Sequence, residues 1–412
     1  MAKIRPFSAI RPTREFASEI AALPYDVFNE AEAREEVLKH PLSFLRIDRP
    51  ETQFPEGTDP YSEEVYRKAH KIYVDMKLKK QYFQDLDVAY YIYRLTMGDH
   101  IQNGIVAMAA VSDYENGIIK KHENTRVEKE LDRINHITEL SAQTGPIFLA
   151  YRANEVINNI VKRVIDEEKP IYDFTSDDGI RHTMYKINES RDIADIIDQF
   201  KHMNSIYIAD GHHRAASAVK VCKKKLEYVD LIDDTIEANY FLSVLFPHDE
   251  LLIMDYNRTV KDLNGLSEEE FLNKIKDNFT VEKMEGEYKK PSKKGEVNMY
   301  LNGQWYILNV NPELIPDDPV KSLDVSLLQD YLLDPVLGIL DPRTDDRIDF
   351  VGGIRGYKEL EKRADTDMKV SFAMYPTTIE ELFNVADAGL LMPPKSTWFE
   401  PKLRSGLIIH EI

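Results

Sequence analysis

At 412 residues, 43% of them hydrophobic and 30% charged, the chain is long enough for two or three domains and has the composition of an ordered globular protein. Its 72 acidic against 53 basic residues give a formal net charge of -19, which argues against a sequence-independent grip on nucleic acid, where a basic face is needed. A single cysteine, Cys222, excludes an internal disulfide and a cysteine-based structural zinc site. No run of about 18 apolar residues is present to span a membrane, and Met1-Ala-Lys-Ile-Arg-Pro has no apolar signal core, so the expected location is the cytoplasm.

In chain order, Ile4 to Ile10 and Ala21 to Phe28 read as short strands or extended segments, Glu30 to Lys39 as a helix, and Leu42 to Ile47 as an apolar strand. Ser62 to Phe83 carries the apolar spacing of an amphipathic helix. Val88 to Leu95 and Ile105 to Val111, rich in tyrosine and β-branched residues, read as a hairpin whose turn contains Asn103-Gly104. Lys121 to Glu128 is a loop that enters a helix through Thr125, with Glu128 three residues on as its capping-box partner. There follow a strand at Ile147 to Tyr151, a helix from Asn154 to Glu168, a strand at His182 to Ile187 and a helix near Asp192 to His202. The strand Ser205 to Ala209 then runs through Gly211 into a helix over Ala215 to Lys225, on which Cys222 packs.

Beyond this core, Ala238 to Phe246 and Val297 to Leu308 predict further strands, and Ser322 to Leu340 begins as a helix. Met392-Pro-Pro-Lys-Ser-Thr397, continuing through Lys402 and Arg404 to Gly406, is a proline-stiffened loop. The alternation predicts an α+β (mixed α/β) fold with a mixed sheet. Its portions are an N-terminal α/β portion at 1–87, a core at 88–235 and a C-terminal α/β portion at 236–412.

The strand-to-helix turn Asp210-Gly-His-His-Arg214 carries the most chemistry. The first N–H groups of a helix are unpaired and its dipole favours an anion, so a phosphate is the natural guest there. Arg214 adds a fork of donors, and the imidazoles of His212 and His213 would exchange protons with phosphoryl oxygens. The plainer alternative has Asp210 as a cap, the histidines solvated and Arg214 in a surface ion pair. Consecutive histidines diverge on a helix and rarely share a metal ion, and no metal ligand set is read.

Glu123, beside His122 and ahead of a helix, can be positioned without being locked in a salt bridge, as a general base requires; a solvated loop residue is its alternative. Asp26 serves either a site or a turn. Lys395, Ser396 and Thr397 suit oxyanions but lack the glycines of a P-loop, so they either contact a ligand or stand exposed on a rigid segment. Asp132 and Arg133 fit structural or orienting roles. A Gly-x-Ser-x-Gly elbow, a Rossmann fingerprint and a His-Glu-x-x-His motif are absent.

Taken together, Pro24-Tyr-Asp-Val27, His122-Glu-Asn-Thr-Arg126 with Asp132-Arg133, Ala209-Asp-Gly-His-His-Arg214, and Met392-Pro-Pro-Lys-Ser-Thr397 with Pro401-Lys402 and Ser405-Gly-Leu407 resemble a large bacterial and archaeal family of unassigned function. That family is placed in the ParB/sulfiredoxin superfamily, and the likeness covers almost the whole chain. It implies a ParB/sulfiredoxin-like core with a phosphate site at Asp210, Gly211, His212, His213 and Arg214. The free serine kinases of the superfamily have a similar turn and a catalytic glutamate in a segment that looks like His122-Glu123. By that resemblance the protein is a phosphotransferase. Glu123 with His122 would take the proton from an acceptor hydroxyl, free L-serine being the foremost acceptor. The donor would be ATP, ADP or pyrophosphate, with Mg²⁺. Asp26, Thr125, Arg126, Lys395, Ser396 and Thr397 would contact the substrate. A nucleotide-binding regulatory or assembly module without turnover, or a hydrolase of a phosphate ester or anhydride, are the alternatives. The implied partner is a small molecule, with no nucleic acid or membrane, and a homo-oligomer is left open. The sulfiredoxin reaction is not implied, because Cys222 lies on the helix rather than at the turn.

Overall fold

The apolar runs of the first 250 or so residues are buried strands, and they build one mixed sheet. The computed structural model describes residues 1–227 and 235–412; residues 228–234, at the end of the expected core, lie outside the described residues. Among the described residues the sheet order is Ile119–Lys120, Ile206–Asp210, Ile147–Tyr151, Tyr240–Pro247, His100–Ala110, Tyr90–Met97, Arg181–Ile187 and Tyr172–Thr175, with Ile4–Arg5 also paired to His100–Ala110. Ile206–Asp210 runs parallel to Ile119–Lys120, and Ile147–Tyr151 parallel to Tyr240–Pro247. The remaining neighbours are antiparallel. The fold is α+β.

Helices Glu155–Glu167, Ser190–Lys201 and His212–Leu226 lay apolar stripes against this sheet. Ile157, Ile196, Phe200, Ala215, Ala218 and Cys222 share one core with Leu149, Ile208 and Leu245. A second core joins Ala33, Phe44, Ile47, Ile72 and Met76 of the N-terminal helices to Leu140 and Ile409.

Contacts divide the chain into two units, 1–251 with 401–412, and 252–400. The sequence reading sets its boundaries at 87/88 and 235/236 instead. Tyr240–Pro247, expected to open the C-terminal portion, is a central strand of the first sheet, as its unbroken burial requires. The last twelve residues also return to the first unit, where Ser405 bridges Ala22, Ile409 bridges Ile10, and His410–Glu411 pairs with Ala142–Gln143.

The second unit holds an antiparallel sheet in the order Phe279–Lys283, Gln304–Val310, Glu296–Leu301, Val370–Ala373, Tyr256–Val260 and Ile348–Gly352. Val297 to Leu308 is therefore two strands. Asn302 and Gly303, both at positive φ, make the tight turn between them. Ser322 to Leu340 contributes the helix Asp324–Leu328 and one wider helical turn, Gln329–Leu333.

Three local expectations are corrected. Leu42 to Ile47 is a turn leading into the short helix Leu45–Asp48, not a strand; its apolar residues are buried either way, and so short a run cannot fix the period. The first hairpin turns at Gly98-Asp99, between the paired residues Met97 and His100. Asn103 and Gly104 lie within the strand, opposite Arg94 and Tyr93. Gly104 is glycine because a Cβ there would sit 2.4 Å from Val244 and 2.7 Å from Phe246. The capping box at Thr125 does not form: the chain stays extended through Arg126, the helix spans Val127–Leu140, and the Thr125 hydroxyl donates to Glu130. No helix among the described residues is long and apolar enough to cross a membrane.

Candidate functional site

The central strand Ile206–Asp210 ends at Gly211, whose φ of +93° reverses the chain and starts the helix His212–Leu226. A Cβ at this position would lie 3.1 Å from the Arg214 guanidinium, which folds back over the turn, so both the dihedral and the close approach call for glycine. The first intrahelical bond is from the Ala215 N–H to the Gly211 carbonyl. The N–H groups of His212, His213 and Arg214 therefore have no acceptor within the helix, and no side chain caps it. The neighbouring helix Val127–Leu140 also begins without a side-chain cap.

Against this turn packs the loop of His122 and Glu123, ninety residues earlier in the chain. The His122 backbone N–H donates to Nε2 of His212 at 3.4 Å, and the two rings meet edge to face at 4.5 Å. Nε2 of His212 is thus an acceptor, which leaves its proton on Nδ1, 3.8 Å from the Glu123 carboxylate. Burial drives the His212 imidazole well below its ordinary pKa, with His122 acting in the same direction against Asp210. His122 is pushed down to about 4 by burial, opposed by Asp210 and the Ile208 carbonyl. At neutral pH both rings are uncharged. The Glu123 side chain keeps 44% of its surface exposed beside a His212 side chain at 5%: an accessible carboxylate against a fixed donor.

Asp210 is the turn's internal anion. Burial raises its pKa, but Lys402 at 3.8 Å, Arg214 at 3.6 Å and the Gly211 N–H outweigh this and hold it at about 2. Arg214 also donates to the Pro146 carbonyl at 2.5 Å. His213 diverges from His212, as successive helix residues must, and its Nδ1 is buried without a partner. Burial lowers its pKa, against the fields of Asp26 and Glu130 and with those of Arg126 and Lys129. Asp26, exposed in the helical turn Tyr25–Val27, and Arg126 therefore act on His213.

A family profile described as Protein of unknown function (DUF1015) matches residues 4–326. The chain belongs to this family. No curated protein matches it. Among solved structures it is distantly similar to a free serine kinase in complex with AMP, at 13% identity over 73% of this chain and 91% of that one, with a TM-score of 0.36. SbnI with C-terminal truncation from Staphylococcus aureus gives 11% identity over 73% and 87%, with a TM-score of 0.39. A conserved hypothetical protein from Pyrococcus furiosus gives 14% over 73% and 93%, with a TM-score of 0.34.

Of the family motifs, the first unit gathers His122, Glu123 and Asp210 to Arg214, with Asp26 and Arg126 acting on His213. Thr125 is committed to Glu130, which is also paired with Lys220. Lys395, Ser396 and Thr397 belong to the second unit. There Lys395 adopts φ +59° and accepts a bond from Arg258 on its carbonyl, Ser396 Oγ donates to the Pro393 carbonyl at 2.7 Å, and Thr377 donates to the Ser396 carbonyl at 2.9 Å. Lys402, which holds Asp210, was not among the expected site residues; its signal was the Pro401-Lys402 pair in the last motif. Among the described residues no group of three or more His, Cys, Asp or Glu side chains is placed to hold a metal ion.

Proposed function

We propose that the protein is a phosphotransferase, moving a phosphoryl group from a nucleotide or pyrophosphate to the hydroxyl of a small metabolite, with free L-serine the foremost acceptor. The observation that carries this reading is the accessible Glu123 carboxylate facing the neutral, buried His212 at a helix start whose N–H groups are unpaired. One end of such an arrangement binds phosphate and the other takes a proton.

On this reading, the transferred phosphate lies at the N–H groups of His212, His213 and Arg214, with the guanidinium of Arg214 and the ammonium of Lys402 adding two positive charges against the one negative charge of Asp210. The acceptor hydroxyl gives its proton to Glu123 as its oxygen bonds to phosphorus and the bond from phosphorus to the donor's bridging oxygen breaks. The donor leaves one phosphate shorter. His212, held uncharged by burial, stands with Nδ1 3.8 Å from the Glu123 carboxylate and so adds no cation beside it. Asp26 and Arg126 set the charge around His213. Mg²⁺ ordinarily keeps several waters and binds through donor phosphates with one or two carboxylates; the described residues offer no ready-made cage, so it would arrive on the donor and screen its phosphate charge.

The test is incubation of the full chain with Mg²⁺ and L-serine against ATP, ADP and pyrophosphate in turn, with phosphorus NMR of the products. O-phosphoserine is expected. Free phosphate without a phosphorylated acceptor would make the protein a hydrolase, and no product across a panel of amino-acid and sugar acceptors would refute the transfer.

A further inference from the structure

Arg214 also lines a cavity walled within the first unit by Tyr25, Asp48, Arg133, Thr144 and Ser405 among others. These walls are unusual in charge and in what their polar atoms lack. Asp48 is 3% exposed, Arg133 6%, Tyr25 7% and Thr144 6%. Groups so deeply placed are costly unless fully partnered. The Arg133 guanidinium pairs through Nε and Nη2 with one oxygen of Asp132, at 2.9 and 2.7 Å, while the other oxygen of Asp132 accepts from Tyr66 at 2.9 Å. Its Nη1 has no acceptor among the described residues. The guanidinium lies 4.1 Å from the centre of the Tyr25 ring, and the Tyr25 hydroxyl makes no hydrogen bond there either. Asp48 accepts from Thr144 on Oδ1 at 3.3 Å, and nothing among the described residues donates to Oδ2. All three residues line the cavity.

Asp48 lies in the field of Arg133, whose Nη2 also reaches the Asp48 carbonyl at 3.5 Å, and His136 adds no charge to it. The His136 Nε2–H is committed to the Ile47 carbonyl at 2.9 Å, and burial, together with Arg133, keeps the ring uncharged. The cavity therefore presents one carboxylate oxygen short of a donor, and a guanidinium edge and a phenol short of an acceptor. Asp132 already balances Arg133, and Asp210 faces Arg214, so a second phosphate or a dicarboxylate would leave excess negative charge in a buried place. A group bearing one ammonium and one carboxylate close together satisfies all three without adding net charge.

We infer that this cavity is a head-group site for a small α-amino acid, in which Asp48 takes the ammonium and Arg133 with Tyr25 takes the carboxylate. Arg214, shared with the turn, marks the direction in which the amino-acid side chain leaves the cavity. Only that last point rests on the phosphotransferase reading; recognition of the zwitterion does not require turnover.

The experiment is titration calorimetry of the full chain without any phosphate donor, using L-alanine, L-serine, serinol and 3-hydroxypropionate. L-Alanine and L-serine should bind comparably, while serinol, without a carboxylate, and 3-hydroxypropionate, without an ammonium, should each bind roughly tenfold or more weakly. Asp48→Asn, close in shape, should weaken L-alanine by a similar factor. Tyr25→Phe, which removes only the hydroxyl, gives a second reading should Asp48→Asn fail to fold. Equal binding of all four compounds, or no binding of either amino acid, overturns the assignment. L-Alanine has no hydroxyl to phosphorylate, so the two readings fail separately. Amino-acid binding with no transfer to any acceptor defeats the phosphotransferase alone. Transfer to some other alcohol with no amino-acid binding defeats the head-group site alone.

Discussion

All eleven histidines of the chain lie in 1–251 and 401–412, and 252–400 contains none. The largest shifts near neutral pH are therefore of different kinds in the two units. In the first, burial and a nearby arginine push His136 down to about 4, His182 to about 3 and His410 to about 4. A buried histidine held neutral contributes stability that is complete above its unfolded pKa near 6.5 and is lost as pH falls from there through the folded value. In the second unit, burial raises the Asp324 carboxyl to about 7, with the Gly295 N–H at 2.5 Å opposing. A carboxyl raised in this way contributes stability that is complete below its unfolded pKa near 4 and is lost as pH rises through about 7. Between neutral pH and the ordinary carboxylate range, the buried histidines of the first unit and Asp324 of the second therefore pull stability in opposite directions.

The largest effect is expected at Glu123. If the first unit carries the chemistry, Glu123→Gln should lower turnover by roughly 10²–10⁴-fold while donor binding, measured by titration, stays close to that of the parent. A loss confined to KM would instead make Glu123 a binding residue.

Next in size is the pH response itself. Between pH 7 and pH 4.5 the first unit should lose on the order of a few kcal/mol, summed over its buried histidines, while the second gains up to a few kcal/mol from Asp324. Hydrogen exchange resolved by peptide checks this. Protection in 252–400 should rise toward acid while protection around Ile147–Tyr151 falls, and Asp324→Asn should flatten the response of the second unit. Parallel loss in both would show that Asp324 is not held neutral.

A smaller effect is expected at the turn. Gly211→Ala places a Cβ at φ +93° and 3.1 Å from the Arg214 guanidinium, and should cost about 1–2 kcal/mol in urea unfolding together with weaker donor binding. Lys395, also at positive φ, is the contrast: its carbonyl accepts from the buried Arg258, so the loop's backbone is occupied where that of the helix start at His212 is open.

How much of this was legible depended on distance along the chain. The turn at Asp210 to Arg214 could be read because a glycine between an apolar strand and a run of helix formers is a local signal. That His122 and Glu123 face it came from motif resemblance, since no spacing rule joins residues ninety apart. Lys402 escaped the site because Pro401 is where the chain returns to the first unit, and nothing local announces a return. Asn103-Gly104 and Gly98-Asp99 are both plausible turns in isolation; the choice is made by Val244 and Phe246, which pack where a Cβ of residue 104 would stand. Asp48, Tyr25 and Arg133 of the cavity lie far apart in the chain, and their common feature, burial with an open valence, exists only after folding.

The smallest expected change gives the sharpest contrast. Helices starting after Asn29, Ser267 and Thr378 carry full capping boxes, whereas those starting after Arg126 and Gly211, at the candidate site, carry no side-chain cap. Arg126 already has the extended backbone of an N-cap, at φ -95° and ψ 131°. Arg126→Asp should therefore supply the missing acceptor and a favourable charge at the helix start, raising stability by about 0.5–1 kcal/mol in urea unfolding. The same substitution replaces the positive charge of Arg126 near His213 by a negative one, so donor affinity should fall as stability rises. A stabilised variant with undiminished donor affinity would show that the charge of Arg126 does not reach the phosphate held at the start of the His212–Leu226 helix.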